Sequence, residues 1–281
     1  MSGLSITERD VASFAVKLEE DEKSASTIAN YIRDAGRFAV WVNGRPLTKQ
    51  LVIEWKAAQA CCGLAPATVN CRIAAVNGLL AHIGREELRI KPLHVQRRVF
   101  CDERQELTAE DYRRLVTAAR TAGRERIALI IETICATGIR VSELRSITVE
   151  CARRGETHIA LKGKVRSILL PGKLSAKLRK YAARTGVSSG EIFRTSSGRP
   201  VSRKQVWSEM KSLCGLARVS PEKVFPHNLR HLFARSFYKE SRDVVKLADV
   251  LGHSSLETTR IYLVSTCAEH RAVLEKMRLT I

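Results

Sequence analysis

The chain has 281 residues, 44% of them hydrophobic and 27% charged, a balance that excludes disordered and fibrous proteins and suits two domains of ordinary size. Its 48 lysines and arginines outweigh 29 acidic residues, for a net charge of +19, which points to a polyanionic partner, nucleic acid ahead of an anionic membrane surface. The longest apolar stretch, Ile127 to Ile139, is interrupted by Glu132 and Thr133 and falls short of the ~20 residues that span a bilayer.

The opening M-S-G-L-S-I-T-E-R-D has no basic cap followed by an apolar run, so a cytoplasmic location is expected. The eight cysteines, at 61, 62, 71, 101, 135, 151, 214 and 267, form no C-x-x-C pair and are read as reduced, buried thiols. In chain order, apolar residues recur at helical spacing through Val11, Phe14, Ala15 and Leu18, and again through Ile28, Tyr31, Ile32, Phe38 and Trp41, predicting two helices. A third is predicted near Thr48 to Ala60. A fourth opens at Ala65-Pro66, since proline is tolerated in a first helical turn, and continues through Val69, Ile73, Val76, Leu79 and Leu80. From Gly84 to Arg104 the periodicity lapses into a charged stretch with one proline, which reads as a linker. Residues 1–103 thus form a small helical domain with its linker from about 84, and residues 104–281 a second domain. Charge divides unevenly between them: 14 basic against 12 acidic residues in the first, 34 against 17 in the second.

In the second block Thr108 is the expected N-cap of a helix, with Asp111 three residues on completing a capping box. Between about 147 and 171, T-H-I-A-L and R-S-I-L-L-P are strand-like runs around K-G-K-V, a β-hairpin with a basic turn. Helices resume from Lys173 and are interrupted at S-S-G-E-I-F-R-T-S-S-G-R-P. The fold class expected is mainly α with a small antiparallel sheet, in two domains.

Four segments carry polar residues that a bland fold would not need. In A-T-G-I-R-V-S-E-L, Gly138 stops an apolar helix and Arg140 follows at once; Arg140 reads either as a solvated residue after a C-cap or as a bidentate fork for a phosphate. In F-P-H-N-L-R-H, His227 and Arg230 share a helix face and can converge on one anion. His231, four beyond His227, invites a zinc reading, but Asn228 stands where an H-E-x-x-H site has its glutamate and no further ligand set is apparent; no metal is expected. In V-V-K-L-A-D-V-L-G-H-S-S-L-E-T-T-R-I-Y, Val244, Leu247, Val250 and Leu251 form an apolar stripe and Gly252 a stop. Ser254 and Glu257 make a capping box for the next helix, which leaves His253 in a tight corner. Tyr262, nine residues later, reads on its own as a core tyrosine. The basic hairpin turn is either solvated or delivers one lysine into a site.

Taken in order, T-G-I-R-V-S-E-L, the K-G-K hairpin, H-N-L-R-H and L-G-H-S-S-L-E-T-T-R-I-Y resemble the tyrosine recombinase/integrase family, near its Xer and phage or transposon integrase branches. The first block resembles that family's helical core-binding domain in position, size and helicity. The resemblance implies that Arg140 and Arg230 clamp a scissile phosphate, that His227 and His253 hydrogen-bond it or move protons, and that Tyr262 is the nucleophile. It also implies that a hairpin lysine protonates the departing 5′ oxygen: Lys162 is preferred over Lys164. Making a phenolate from a tyrosine of pKa near ~10 at pH 7 costs about 4 kcal/mol unless a positive field assists; two arginines and a histidine would supply it, and no metal or other cofactor is implied. A 3′-phosphotyrosyl bond stores the energy of the phosphodiester, so rejoining needs no ATP; consistently, no G-x-x-x-x-G-K-[ST] loop occurs. The implied partner is double-stranded DNA, gripped mainly through its phosphates, by a homo-tetramer in the synaptic complex, with accessory proteins a further implied partner. The segment after Tyr262, including A-E-H-R-A-V-L-E-K-M-R-L, reads as an amphipathic helix that packs in cis or docks on a neighbouring subunit. Two other functions compete: a type IB topoisomerase, which shares the covalent tyrosine but relaxes DNA without a defined site, and a catalytically silent DNA-binding protein.

Overall fold

The computed structural model describes residues 5–94, 105–161, 164–263 and 275–277, with the backbone alone at 160, 161 and 164. The chain divides into two compact units, Met1–Arg97 and Arg98–Ile281.

The first unit holds four helices: α1 (Glu8–Glu20), α2 (Ala25–Val42), α3 (Lys49–Cys61) and α4 (Pro66–His82). Each of the first three begins where a hydroxyl can cap it: Thr7 with Asp10 in a full capping box, Ser24, and Thr48. Pro66 opens α4, where its missing N–H is no loss. Phe14, Phe38, Trp55, Ile73, Leu79 and neighbours close into one core. Phe38 and Trp55 meet edge to face, with centroids 5.1 Å apart; side chains of this size stabilise by roughly 1.5–3 kcal/mol each on burial. The stretch from Gly84, which reads as linker, is laid on this bundle as far as residue 94. It turns through a 3₁₀ segment, Glu86–Leu88, and buries Leu88 and Ile90 in the core. Asn77 and Asn70 bind the backbone of Ile90 and Leu93 through both amide atoms. Those paired amide contacts connect positions 13 and 23 residues apart, which periodicity cannot show.

The second unit opens with α5 (Ala109–Thr121), capped by Thr108 and Asp111 as expected, and α6 (Glu125–Thr137). Residues 127–131 and 134 of α6 are all buried, so it is a helix apolar all round, wrapped by the rest of the unit. Its one buried acid, Glu132, is neutralised by Arg120 at 2.5 Å and Lys177 at 3.0 Å. A 3₁₀ segment (Val141–Ser146) leads to α7 (Val149–Arg154), then to a hairpin of β1 (Glu156–Leu161) and β2 (Lys164–Leu169). The strands pair antiparallel from Glu156–Leu169 to Leu161–Lys164; Lys162 and Gly163 lie outside the described residues. The strand-like runs at 157–161 and 166–171 fall largely on these strands; ahead of them the structure adds helix α7, which Thr148 caps and Gly155 ends in a left-handed turn.

After α8 (Gly172–Arg184) come α9 (Arg203–Lys211), α10 (Cys214–Ala217), α11 (Pro226–Ser241), α12 (Val244–Leu251) and α13 (Leu256–Arg260). Gly252 ends α12 with φ +66°. The cap of α13 is Ser255, whose Oγ accepts from the Glu257 N–H at 3.2 Å. This corrects the expected Ser254–Glu257 box: the second of two adjacent serines caps a shorter helix. The amphipathic segment expected after Tyr262 lies almost wholly outside the described residues. Buried thiols were expected throughout, yet Cys61, Cys62 and Cys71 are exposed on α3, its C-cap and α4, while Cys151 and Cys214 are buried and Cys135 half-buried. Their polar helix faces decide this. Cys101 and Cys267 lie outside the described residues. Among the described residues no helix is long and apolar enough to cross a membrane.

Candidate active site

Gly138 takes a left-handed conformation at the end of α6, which frees the chain to turn and buries Ile139. Arg140 then sits at the head of the 3₁₀ segment, where Glu143 binds it twice: the carboxylate accepts from the Arg140 backbone N–H at 2.7 Å and from Nη1 at 3.1 Å. The Arg140 side chain keeps 37% exposure, so it is fixed at one end and open at the other.

Helix α11 carries the second arginine. Pro226 starts the helix and places His227 and Arg230 one turn apart. Arg230 is 1% exposed. Its Nη1 donates to the Gly138 carbonyl at 2.5 Å, and its Nη2 to the Leu251 carbonyl at 2.8 Å and to His253 Nε2 at 2.9 Å; Tyr262 is close enough to favour its charged form. Among the described residues no carboxylate lies within ion-pair distance of Arg230. A guanidinium held in the interior by carbonyls, with no counter-charge, is a built anion site, because burying a charge without a partner is costly.

His253 follows the Gly252 stop. A guanidinium can only donate, so the His253 Nε2 facing Arg230 accepts. The proton is then on Nδ1, which donates to Thr259 Oγ1 at 2.9 Å. Burial, with Arg230 and Arg140 nearby, pushes the His253 pKa down to about 4; burial does the same to His231, to about 4, and lowers His227. The three imidazoles are therefore neutral near pH 7 and able to accept protons.

Tyr262 is 3% exposed and lies among these rings: His253 nearly parallel at 5.6 Å, His227 at 5.9 Å, and His231 nearest at 4.4 Å. His231 also meets His227 edge-on at 4.7 Å. Among the described residues no three His, Cys, Asp or Glu are grouped to hold a metal ion.

Arg140, His227, Arg230, His253 and Tyr262 are thus brought together from four separate segments. Lys162 lies outside the described residues and only the backbone of Lys164 is described. Sequence reading missed three participants. Glu143 orients Arg140. Arg166, on β2, ion-pairs with Glu143 and donates to the Val250 carbonyl at 2.9 Å. His231 was weighed solely as a metal ligand, yet it packs on the tyrosine. Its i+4 spacing from His227 was the available signal; nothing local marks Arg166. A cleft of about 710 Å³ runs from Arg140, His227 and Arg230 to Arg203, Lys204 and Trp207 of α9, extending the positive surface beyond the clamp. Arg140 and Arg166 share the carboxylate of Glu143 and Arg230 has none within ion-pair distance among the described residues, an excess of positive charge that fits a phosphodiester.

A model described as the phage integrase family matches residues 105–269. The tyrosine recombinase XerA of Pyrococcus furiosus is 26% identical over 275 residues, covering 95% of this chain and 93% of its own. A XerH site-specific recombinase bound to palindromic difH substrate, a post-cleavage complex, superposes with a TM-score of 0.69 at 18% identity, over 93% of this chain and 86% of that one. A lambda integrase tetramer bound to a Holliday junction gives 0.70 at 19% identity, over 93% and 78%.

Proposed function

The chain belongs to the phage integrase family of tyrosine recombinases, which cut and rejoin DNA, and from that premise we propose that it recombines duplex DNA at specific sites through a covalent link on Tyr262. The observation that carries this reading is Arg230: a buried guanidinium with no carboxylate in ion-pair distance among the described residues, beside the tyrosine, with Arg140 facing the same cleft.

The chemistry follows from the geometry. A scissile phosphate entering the cleft takes donors from Arg140 and Arg230, replacing the Arg230–His253 contact. The Tyr262 oxygen attacks phosphorus, and its proton passes to a neutral imidazole of the cluster. The bond from phosphorus to the 5′ oxygen breaks, and a hairpin lysine, Lys162 in our preferred register, protonates that oxygen. The two arginines stabilise the charge gathered on the phosphoryl oxygens. The resulting 3′-phosphotyrosyl bond conserves the phosphodiester energy, so attack by a 5′ hydroxyl from another strand reseals the DNA without ATP.

The first unit is read as the core-binding domain that grips the duplex together with the catalytic unit. Strand exchange occurs in a homo-tetramer in the cytoplasm, where the thiols stay reduced. Loss of catalysis is not favoured, since Arg140, His227, Arg230, His253 and Tyr262 are all present. The test is a suicide substrate: nicked DNA carrying the ends of the element that flanks the coding sequence. A denaturation-resistant protein–DNA adduct that disappears in Tyr262→Phe, while DNA binding persists, is expected. An undiminished adduct in Tyr262→Phe would remove the tyrosine from this role.

A further inference from the structure

Among the described residues, Arg166 ties the β-hairpin to both halves of the proposed phosphate clamp. It is 10% exposed. One end of its guanidinium pairs with Glu143, the same carboxylate that holds the backbone and side chain of Arg140. The other end, Nη1, donates to the carbonyl of Val250 at 2.9 Å, in the last turn of α12. Two residues later Gly252 ends that helix and presents His253, and a Cβ at Gly252 would run into Arg166 Cδ. The contact with Glu143 spans 23 residues of sequence and that with Val250 spans 84. Both are made from a strand that leads toward the two candidate lysines, two and four positions before Arg166 in the sequence.

A β-hairpin joined to its domain only by its own ladder can rock by more than a proton transfer tolerates, because a general acid must lie within hydrogen-bond reach of the atom it protonates. Ile159 and Ile168 seat this hairpin in the core, and the buried Arg166 guanidinium, with its two anchors, restrains it further along β2 toward the turn. Its fork is planar and pre-organised, so it can hold Glu143 and Val250 at a fixed separation, which an ammonium cannot do.

We infer that Arg166 is a positioning residue that registers the hairpin, and with it the lysine that protonates the departing 5′ oxygen, against Arg140 and His253. The inference rests on the proposed role of a hairpin lysine. It assigns Arg166 no contact with DNA: the residue uses Glu143 and Val250 as anchors and acts on the reaction through the lysine.

The test compares two substrates in single-turnover cleavage. One is the ordinary phosphodiester. The other carries sulfur in place of the bridging 5′ oxygen at the scissile position, so that a thiolate leaves when the P–S bond breaks and no proton donor is required. The variants are Arg166→Ala, Arg166→Lys, Lys162→Ala and Lys164→Ala, with thermal melting as the check on folding. Arg166→Ala and Arg166→Lys are both expected to cut the ordinary substrate about a hundredfold more slowly, the scale of one general acid, and to cut the sulfur substrate at nearly the unmodified rate. One of the two lysine variants should show the same rescue. Should Arg166→Ala fail to fold, Arg166→Lys, which keeps a charge beside Glu143, carries the comparison alone. Equal losses on both substrates for the Arg166 variants, with rescue in a lysine variant, would overturn the positioning role and leave the lysine role intact. Undiminished cleavage by Arg166→Lys would overturn it too. Rescue in neither lysine variant would instead defeat the lysine role, and the inference about Arg166 with it.

Discussion

Arg230 Nη2 donates to His253 Nε2 at 2.9 Å, joining a buried cation on α11 to a histidine 23 positions away on the corner after α12. That contact fixes the imidazole as the Nδ1–H tautomer and gives the cation no counter-charge. The proposed clamp is therefore preassembled, and in the proposed reaction the phosphate completes it.

Replacing Arg230 should test this directly. Arg230→Lys keeps a positive charge but cannot reach the Gly138 and Leu251 carbonyls and His253 together. Single-turnover formation of the covalent adduct should fall by roughly 10²–10³ in this variant, the scale of losing one pre-organised oxyanion donor, while gel-shift affinity for the duplex changes little because other phosphate contacts persist. Wild-type adduct formation in Arg230→Lys would show that the fork geometry is not needed.

The two hairpin lysines are separable. Lys162→Ala is expected to slow cleavage more than Lys164→Ala in rapid-quench assays, and the opposite order would move the general acid to Lys164.

Gly138 links fold and chemistry. It adopts φ +65°, a Cβ there would strike the Phe233 ring of α11, and its carbonyl receives Arg230. Gly138→Ala should cost about 2–4 kcal/mol, combining left-handed strain with overpacking. Chemical denaturation reads the stability and adduct yield reads the chemistry; an unaltered unfolding midpoint would contradict the packing seen here.

The half-buried His231 and His253 predict an acid-sensitive fold. His253 and His231 titrate near 6.5 when exposed and near about 4 when folded. Between those values the unfolded chain binds more protons than the native one, so stability is full above pH ~6.5 and is lost as pH falls toward 4. Thermal melts from pH 7.5 to 4.5 should show a falling midpoint, with a shallower decline in His231→Asn. An identical slope in that variant would place the sensitivity elsewhere.

Much of this protein is written locally. The capping boxes at Thr7 and Thr108, the stops at Gly138 and Gly252, and the placement of His227 and Arg230 on one face depend on residues within about one helical turn of each other. Physical rules of that range can be read along the chain. The same range explains the misses. A six-residue helix, α7, leaves too short a period to separate from the strands that follow, and two adjacent serines at 254 and 255 offer the same cap. Exposure of Cys61, Cys62 and Cys71 depends on which helix face meets a neighbour.

The sequence by itself determined the succession of elements, the family and the residue types at the site. Only tertiary structure decided how those residues act on one another. Arg230 donates to the Gly138 carbonyl across 92 positions, and Arg166 reaches Val250 across 84. His231, on the face of α11 it shares with His227, gains its place against Tyr262 only when the turn after α13 brings that ring to 4.4 Å from it. Burial is the physical reason: the lowered histidine pKa values and the unpaired Arg230 exist only once packing has excluded water, and that exclusion is a property of the assembled unit and of no segment within it.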